Sequence, residues 1–336
     1  MSLPRFIVWV IMLALPMVGR AQQQKEILRM SDSLFFKTDE ARRIGDQLLL
    51  FQRVTGGWPK NNDMVKPLTD EEADSVKASR SRQDDSTIDN HATTIQMVFL
   101  ARLFQQTRDV RYKAAFCQGV EFLLGGQYAN GGWPQFWPKN SGYQVHITYN
   151  DDAMIDVMKL LRDVLKHKYP YDTTLVDEPL RRRCEQAFNK GVDCILRTQI
   201  VVDGEPTVWC QQHDHETLQP AKARAYELPS FVSHESATIV AFLMQLPDPD
   251  ERIIRAVNGA MKWFAAHQLE GDHPLWARFY DLQEGLPFFC DRDGQPRRRL
   301  EDISEERRNG YSWFSKSPAA LFEQYEKWRN NVHTSL

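Results

Sequence analysis

The 336-residue chain is 42% hydrophobic and 26% charged, with a formal net charge of −3. That length suits one large domain or two modest ones, and the slightly acidic balance excludes a nucleic-acid binder working through bulk charge. Five cysteines, Cys117, Cys184, Cys194, Cys210 and Cys290, cannot all pair within one chain and match no zinc template, so mostly buried thiols are expected, with one or two bridges as the alternative.

The chain opens with a basic Met1–Arg5 and a short apolar run, Phe6–Val18, followed by the small residues Gly19 and Ala21 around Arg20. The run falls short of the roughly 20 apolar residues that span a bilayer. It therefore reads as a secretory signal over residues 1–21, cleaved ahead of Gln22. No cysteine follows it to carry a lipid. Residues 22–336 are expected to form one domain, as a single body or as two lobes around a cleft, working as a monomer in a secreted or periplasmic setting with no membrane span.

In that remainder an apolar, helix-like run ends in glutamine four times, with a tryptophan in the loop that follows: Gln52 and Trp58, Gln127 and Trp133, Gln199 and Trp209, Gln268 and Trp276. The motif returns about every 70 residues, which is room for two helices and their loops. Helical hairpins packed side by side follow, an all-α fold in which each pair buries a face it cannot bury alone. Loops after the first helices then gather at one end, the expected functional face.

The second helices open on Asp89-Asn90-His91, Asn150-Asp151-Asp152, Ser233-His234-Glu235-Ser236 and Ser315-Lys316-Ser317-Pro318. Acids and amides ahead of a helix are ordinary caps for free backbone N–H groups. One suffices for capping, yet the first two openings supply two and three oxygen ligands at matching places. That excess points to a hard cation. The loops are rich in glycine and aromatics, as in Gly56-Gly57-Trp58-Pro59-Lys60-Asn61 and Gly131-Gly132-Trp133-Pro134. Their tryptophans either plug the bundle or stack on sugars, with the plug favoured because large aromatics are mostly buried. His213 and His215 stand two apart without further zinc-ligand spacing, and Arg292 between Asp291 and Asp293 reads as a salt-bridged turn.

Taken together, GGWPKN (Gly56–Asn61), STIDNHAT (Ser86–Thr93), GGWPQF (Gly131–Phe136), HITYNDDAM (His146–Met154), WCQQHDHETLQPAKARAYELPS (Trp209–Ser230) and WARFYDLQEGLPFFCDRDG (Trp276–Gly294) resemble the pectate lyases of polysaccharide lyase family 10. Each piece alone is weak; their order and spacing are specific. The resemblance implies a mainly helical α/α toroid, (α/α)3-like, with long irregular loops around a substrate cleft. It also implies calcium-dependent β-elimination on polygalacturonate or pectic oligosaccharide.

On this resemblance Asp151 and Asn90 hold calcium, Asp89 is an essential acid of the same cluster, and Arg224 and Arg278 grip substrate carboxylates, with Lys222 and Tyr280 beside them. Arg292 takes the place of the Brønsted base, although a free guanidinium gives up its proton only above pH ~12. Arg278 and calcium would push a proton off Arg292, while Asp291 and Asp293 would hold it on. Three rivals remain. A toroidal glycoside hydrolase would use a carboxylate pair such as Asp89 and Asp151, and a non-catalytic carbohydrate binder would need the tryptophans but not the arginines. A triterpene cyclase, whose repeat is similar, would need an acidic DxDD cluster that the chain lacks.

Overall fold

The computed structural model describes residues 17–334. Most of the leader expected over residues 1–21 therefore lies outside the described residues, and helix α1 (Met17–Leu28) runs across the expected cleavage point. The helices that follow are α2 (Asp39–Phe51), α3 (Asp70–Ala78), α4 (Thr94–Thr107), α5 (Val110–Gly126), α6 (Ala153–Leu165), α7 (Glu178–Thr198), α8 (Ser233–Leu243), α9 (Glu251–Ala266), α10 (Glu305–Gly310) and α11 (Ala319–Thr334). They form an all-α toroid of two rows. Helices α2, α5, α7 and α9 pack in succession as the outer row, and α4, α6, α8 and α11 as the inner.

The two rows begin differently. Each outer helix starts on a side chain that accepts a hydrogen bond from its first turn: Thr38 from Ala41, Asp109 from Arg111, Asp177 from Leu180 and Asp250 from Ile253. Such caps satisfy donors that a helix leaves free. Inner helices α4, α6 and α8 begin at Thr93, Asp152 and Val232 with no side-chain cap. Their N-terminal ends are thus left for something else. The stretches before α4 and α6 hold Asn90, His91, Thr93, Asp151 and Asp152 at positive φ, a conformation costing about 1–3 kcal/mol per residue that clusters at functional sites.

The glutamine–tryptophan repeat is a clasp. Each of the first three glutamines closes an outer helix and donates two hydrogen bonds from Nε2, one to its own loop and one to the next outer helix. Gln52 reaches Gly56 O and Ala115 O, Gln127 reaches Gly131 O and Ala187 O, and Gln199 reaches Thr207 O and Ala256 O. The indole N–H of each tryptophan donates back into the helix just ended, at Leu48, Leu123, Ile195 and Phe264. Gln268, in the last copy, is exposed; no further outer helix follows for it to hold. All four tryptophans are at most 1% exposed, so they plug the bundle and do not stack on sugar.

Gly56 and Gly131 show why the loops open on glycine. Both stand near φ +90, and a Cβ would fall 2.3 Å from Gln118 O in the first and 2.0 Å from Lys190 O in the second. Either contact would push the loop off the neighbouring outer helix. At the functional face, neighbouring loops are sewn together by very short antiparallel ladders. Ile147–Thr148 pairs with Gln212–His213, and Phe231–Val232 with Phe279–Tyr280. All five cysteines are free thiols, and Cys117 alone among them is not buried.

Candidate active site

The uncapped ends of α4, α6 and α8 bring together the residues that the sequence singled out. The segments Asp89–His91 and Asn150–Asp152 pack against each other, and the second also meets α8. None of Asp89, Asn90 or Asp151 caps a helix, so capping does not explain the surplus of oxygen ligands. Asp89 is buried and paired through Oδ2 with Lys60. Asn90 donates to Asn61 Oδ1 at 3.2 Å, and Asn150 donates to Asp151 Oδ2 at 2.9 Å.

A third carboxylate completes the patch. Glu235, on the first turn of α8, is buried and held by the guanidinium of Arg278. Gln211 Nε2 bridges Glu235 Oε1, at 3.1 Å, to Asn150 Oδ1. Asp151 is open to solvent, yet its pKa is raised, first by partial desolvation from the surrounding walls and then by the negative charges of Asp89 and Glu235. Arg278 and Arg224 act the other way. Glu235 is held below its ordinary value: burial pushes it up, but Arg278 and His234 outweigh that.

These carboxylates fit a cation. Among the described residues, Asp89 Oδ1, Gln211 Oε1 and Glu235 Oε2 are buried without a hydrogen-bond partner. The donor set is all oxygen and carries surplus negative charge, as a hard divalent ion requires.

The arginines stand over a satellite apolar cluster that includes Tyr226, Phe279, Phe289 and Trp313. Arg224 donates from Nε to Glu227 Oε2 at 2.7 Å, and Tyr311 donates to Glu227 Oε1 at 2.8 Å. The ring of Tyr311 lies against both Arg224, at 5.7 Å, and Arg278, at 4.9 Å. Tyr226 lies against Arg224, Arg307 and, at 6.0 Å, Arg292. Rigid faces of this kind suit planar guanidinium groups that must keep one orientation.

Arg292 is placed differently. Its side chain is 64% exposed and donates from Nε and Nη2 to Glu306, which also binds Arg307. Its pKa is raised by the Glu306 hydrogen bond and charge, against a smaller opposing push from Arg307. Asp291, which accepts from the Arg292 backbone N–H and from Ser304, and Asp293, paired with Arg297, leave the guanidinium itself to Glu306. Lys222 is exposed and approaches the backbone of Gly294 in the same turn.

Tyr280 lies deeper than its expected place beside the arginines. It is 1% exposed, its hydroxyl donates to His267 O at 2.7 Å and it accepts from Ala277 N at 3.0 Å. Its counterpart one repeat earlier is His213, buried with Nε2 accepting from Cys210 N and Nδ1 against Leu218 O. Both residues fasten the turn that follows a loop tryptophan. Sequence reasoning also missed Glu235, Lys60, Gln211 and Tyr311. Glu235 had a signal, being the one acid in the opening of α8, but it resembled a cap.

The family model described as pectic acid lyase matches residues 52–322. Among solved structures, the chain is 33% identical to a family 10 polysaccharide lyase from Cellvibrio cellulosa, over 94% of this chain and 98% of that one, with a TM-score of 0.80. A mutant family 10 lyase from the same organism, in complex with trigalacturonic acid, matches at 32% identity over 94% and 99%, again with a TM-score of 0.80. No curated protein matches the sequence.

Proposed function

The chain belongs to the pectic acid lyase family and is a polysaccharide lyase, and from that premise we propose that it cleaves polygalacturonate by calcium-dependent β-elimination at this patch. One observation carries the reading: Glu235, held by Arg278, is bridged through Gln211 to Asn150, which donates to Asp151 where its segment packs against Asp89–His91. Such a patch combines oxygen ligands for a cation with donors for a substrate carboxylate. Asp151 and Asn90, supported by Asp89, would hold calcium. Bound there, calcium supplies fixed positive charge beside the uronate carboxylate.

Elimination removes the proton at C5, next to a carboxylate that is already negative, and the transition state deepens that charge. Donors that are aimed in advance lower the barrier most. Arg278 meets that need, because Glu235 and the Tyr311 ring fix its guanidinium in a buried setting. Arg224 is fixed by Glu227 yet 41% exposed, so it remains within reach of a sugar.

The resemblance gives the base to Arg292. A second reading gives it to Arg224, because Arg224 shares the Tyr311 ring with Arg278 and faces solvent, whereas Arg292 spends its donors on Glu306. In either case the proton passes from C5 to a guanidinium nitrogen, which must first have released one. The reading extends to a monomer released from its leader outside the cytoplasm. Among the described residues no helix is long and apolar enough to cross a membrane.

Polygalacturonate incubated with the protein and calcium should gain ultraviolet absorbance from an unsaturated uronide, and chelator should abolish the gain. New reducing ends without that absorbance would mean hydrolysis and would overturn the proposal.

A further inference from the structure

A second cluster lies beside the patch and belongs to neither its acids nor its arginines. His146 immediately precedes the strand Ile147–Thr148, and Asp214 and His215 immediately follow Gln212–His213. Those strands pair antiparallel, Ile147 opposite His213 and Thr148 opposite Gln212. One step further along the ladder sets His146 opposite Asp214. Ligand atoms of His146, Asp214 and His215 all lie within 4.8 Å of one another.

Each of the three is held, yet incomplete. Asp214 Oδ1 accepts from Glu216 N at 3.0 Å, Thr217 N at 2.8 Å and Thr217 Oγ1 at 3.0 Å, which fixes the carboxylate and leaves Oδ2. Oδ2 stands 3.7 Å from His146 Nδ1, too far for a hydrogen bond. Among the described residues, His146 Nδ1 and His215 Nδ1 are buried atoms without a hydrogen-bond partner. His215 is positioned by Asn130, which donates to its carbonyl at 2.6 Å, and by the Tyr128 ring at 5.3 Å. Unpaired buried nitrogens are costly unless something joins them.

We propose that His146, Asp214 and His215 bind a divalent transition metal of the zinc class. Two imidazoles and a carboxylate suit a borderline ion, whereas calcium takes oxygen alone. Tetrahedral zinc would set the three ligand atoms about 3.4 Å apart, so the group needs to close by roughly 1 Å. Three protein ligands leave a fourth position for water. A neutral imidazole offers its lone pair to such an ion, so binding should strengthen as pH rises. The ion would clip the loop at residues 212–216 to the strand leading into Asn150, whose own N–H donates to Gln211 O at 3.1 Å.

The test uses the full chain after chelator treatment. Zinc is titrated by calorimetry, zinc content is measured after gel filtration, and cobalt is added to read coordination from its visible spectrum. One ion per chain is expected, at micromolar Kd or tighter, with a tetrahedral cobalt spectrum that calcium does not displace. His146→Gln and His215→Gln should each weaken binding at least tenfold. So should Asp214→Asn, which keeps the turn's acceptor but removes the charge. Melting curves in chelator check that these variants fold, and the wild-type cobalt spectrum stands without them. Asp151→Ala, which alters only the oxygen cluster, should bind zinc like the wild type. The proposal is overturned if the wild type retains no more zinc than the His146→Gln/His215→Gln double variant, or if Asp151→Ala removes the zinc.

Discussion

Arg278 and Glu235 meet as an ion pair almost closed to water, with side chains 10% and 1% exposed. The second oxygen of Glu235 has no hydrogen-bond partner among the described residues. The pair is therefore both a support for the carboxylate patch and a source of its charge. Glu235→Ala would leave Arg278 buried and unpaired, a loss of about 3–5 kcal/mol, visible as a large fall in melting temperature at neutral pH. The pKa of Glu235 is depressed in the folded state, so its contribution is fully present above the unfolded value of roughly 4.3. It is lost as pH falls through the lower folded value. The gap between wild type and variant should narrow below about pH 4; a gap that stays constant would remove the pair from the account.

Asp151 carries the opposite sign. Its raised pKa means that the folded, metal-free protein works against its charge, and its stability improves as pH falls through that value. Asp151→Asn should therefore raise the melting temperature in chelator, by something on the order of a degree, and should lose the further rise that calcium gives the wild type. Calcium affinity of the wild type should fall on acidification, because proton and cation compete for one carboxylate. An Asp151→Asn protein with full turnover at low calcium would return this residue to a purely local role.

The two candidate bases separate in kinetics. If Arg224 accepts the C5 proton, Arg224→Lys should stay folded and lose at least 100-fold in kcat, since a point charge does not reproduce the fixed fork. Arg292→Lys, at the rim, should then change KM a few-fold and leave the alkaline rise of kcat in place. The reverse pattern, with Arg292→Lys nearly inactive and its alkaline rise gone, restores Arg292 as the base. A kcat flat to strongly alkaline pH would make both arginines electrostatic stabilisers.

The clasps give a test free of catalysis. Gln127→Leu leaves Gly131 O without this donor and removes the tie to Ala187 O, whose helix keeps its own bond, a cost of about 1–3 kcal/mol. Gln268→Leu, at the exposed end of the series, should fall within about 0.5 kcal/mol of wild type. Equal losses in chemical denaturation would mean that the last copy also holds a partner.

Much of this architecture was legible in the chain because it depends on local or repeated signals. The glutamine–tryptophan spacing announced the hairpins, and the surplus oxygens around Asp89 and Asn150 announced the patch. What remained hidden depends on partners far apart in sequence. Glu235 looks like any acid at a helix start until Arg278 arrives from the next repeat. Arg292 looked central because its motif is distinctive, but its setting is decided by Glu306. Tyr280 appeared available because nothing nearby in sequence showed that Ala277 and His267 take both sides of its hydroxyl. His146 and His215 carry no zinc spacing, and only the short ladder between their loops brings them face to face.

The glutamine clasps also impose a timetable. The second anchor of Gln52 lies 63 residues downstream, that of Gln127 60 and that of Gln199 57. Since synthesis delivers the chain from its N-terminus, each loop must wait for the next hairpin before it can be fastened. Helices can form as they emerge, but the loops between them lock one repeat behind. A partly made chain therefore carries helices whose last loop is still unfastened.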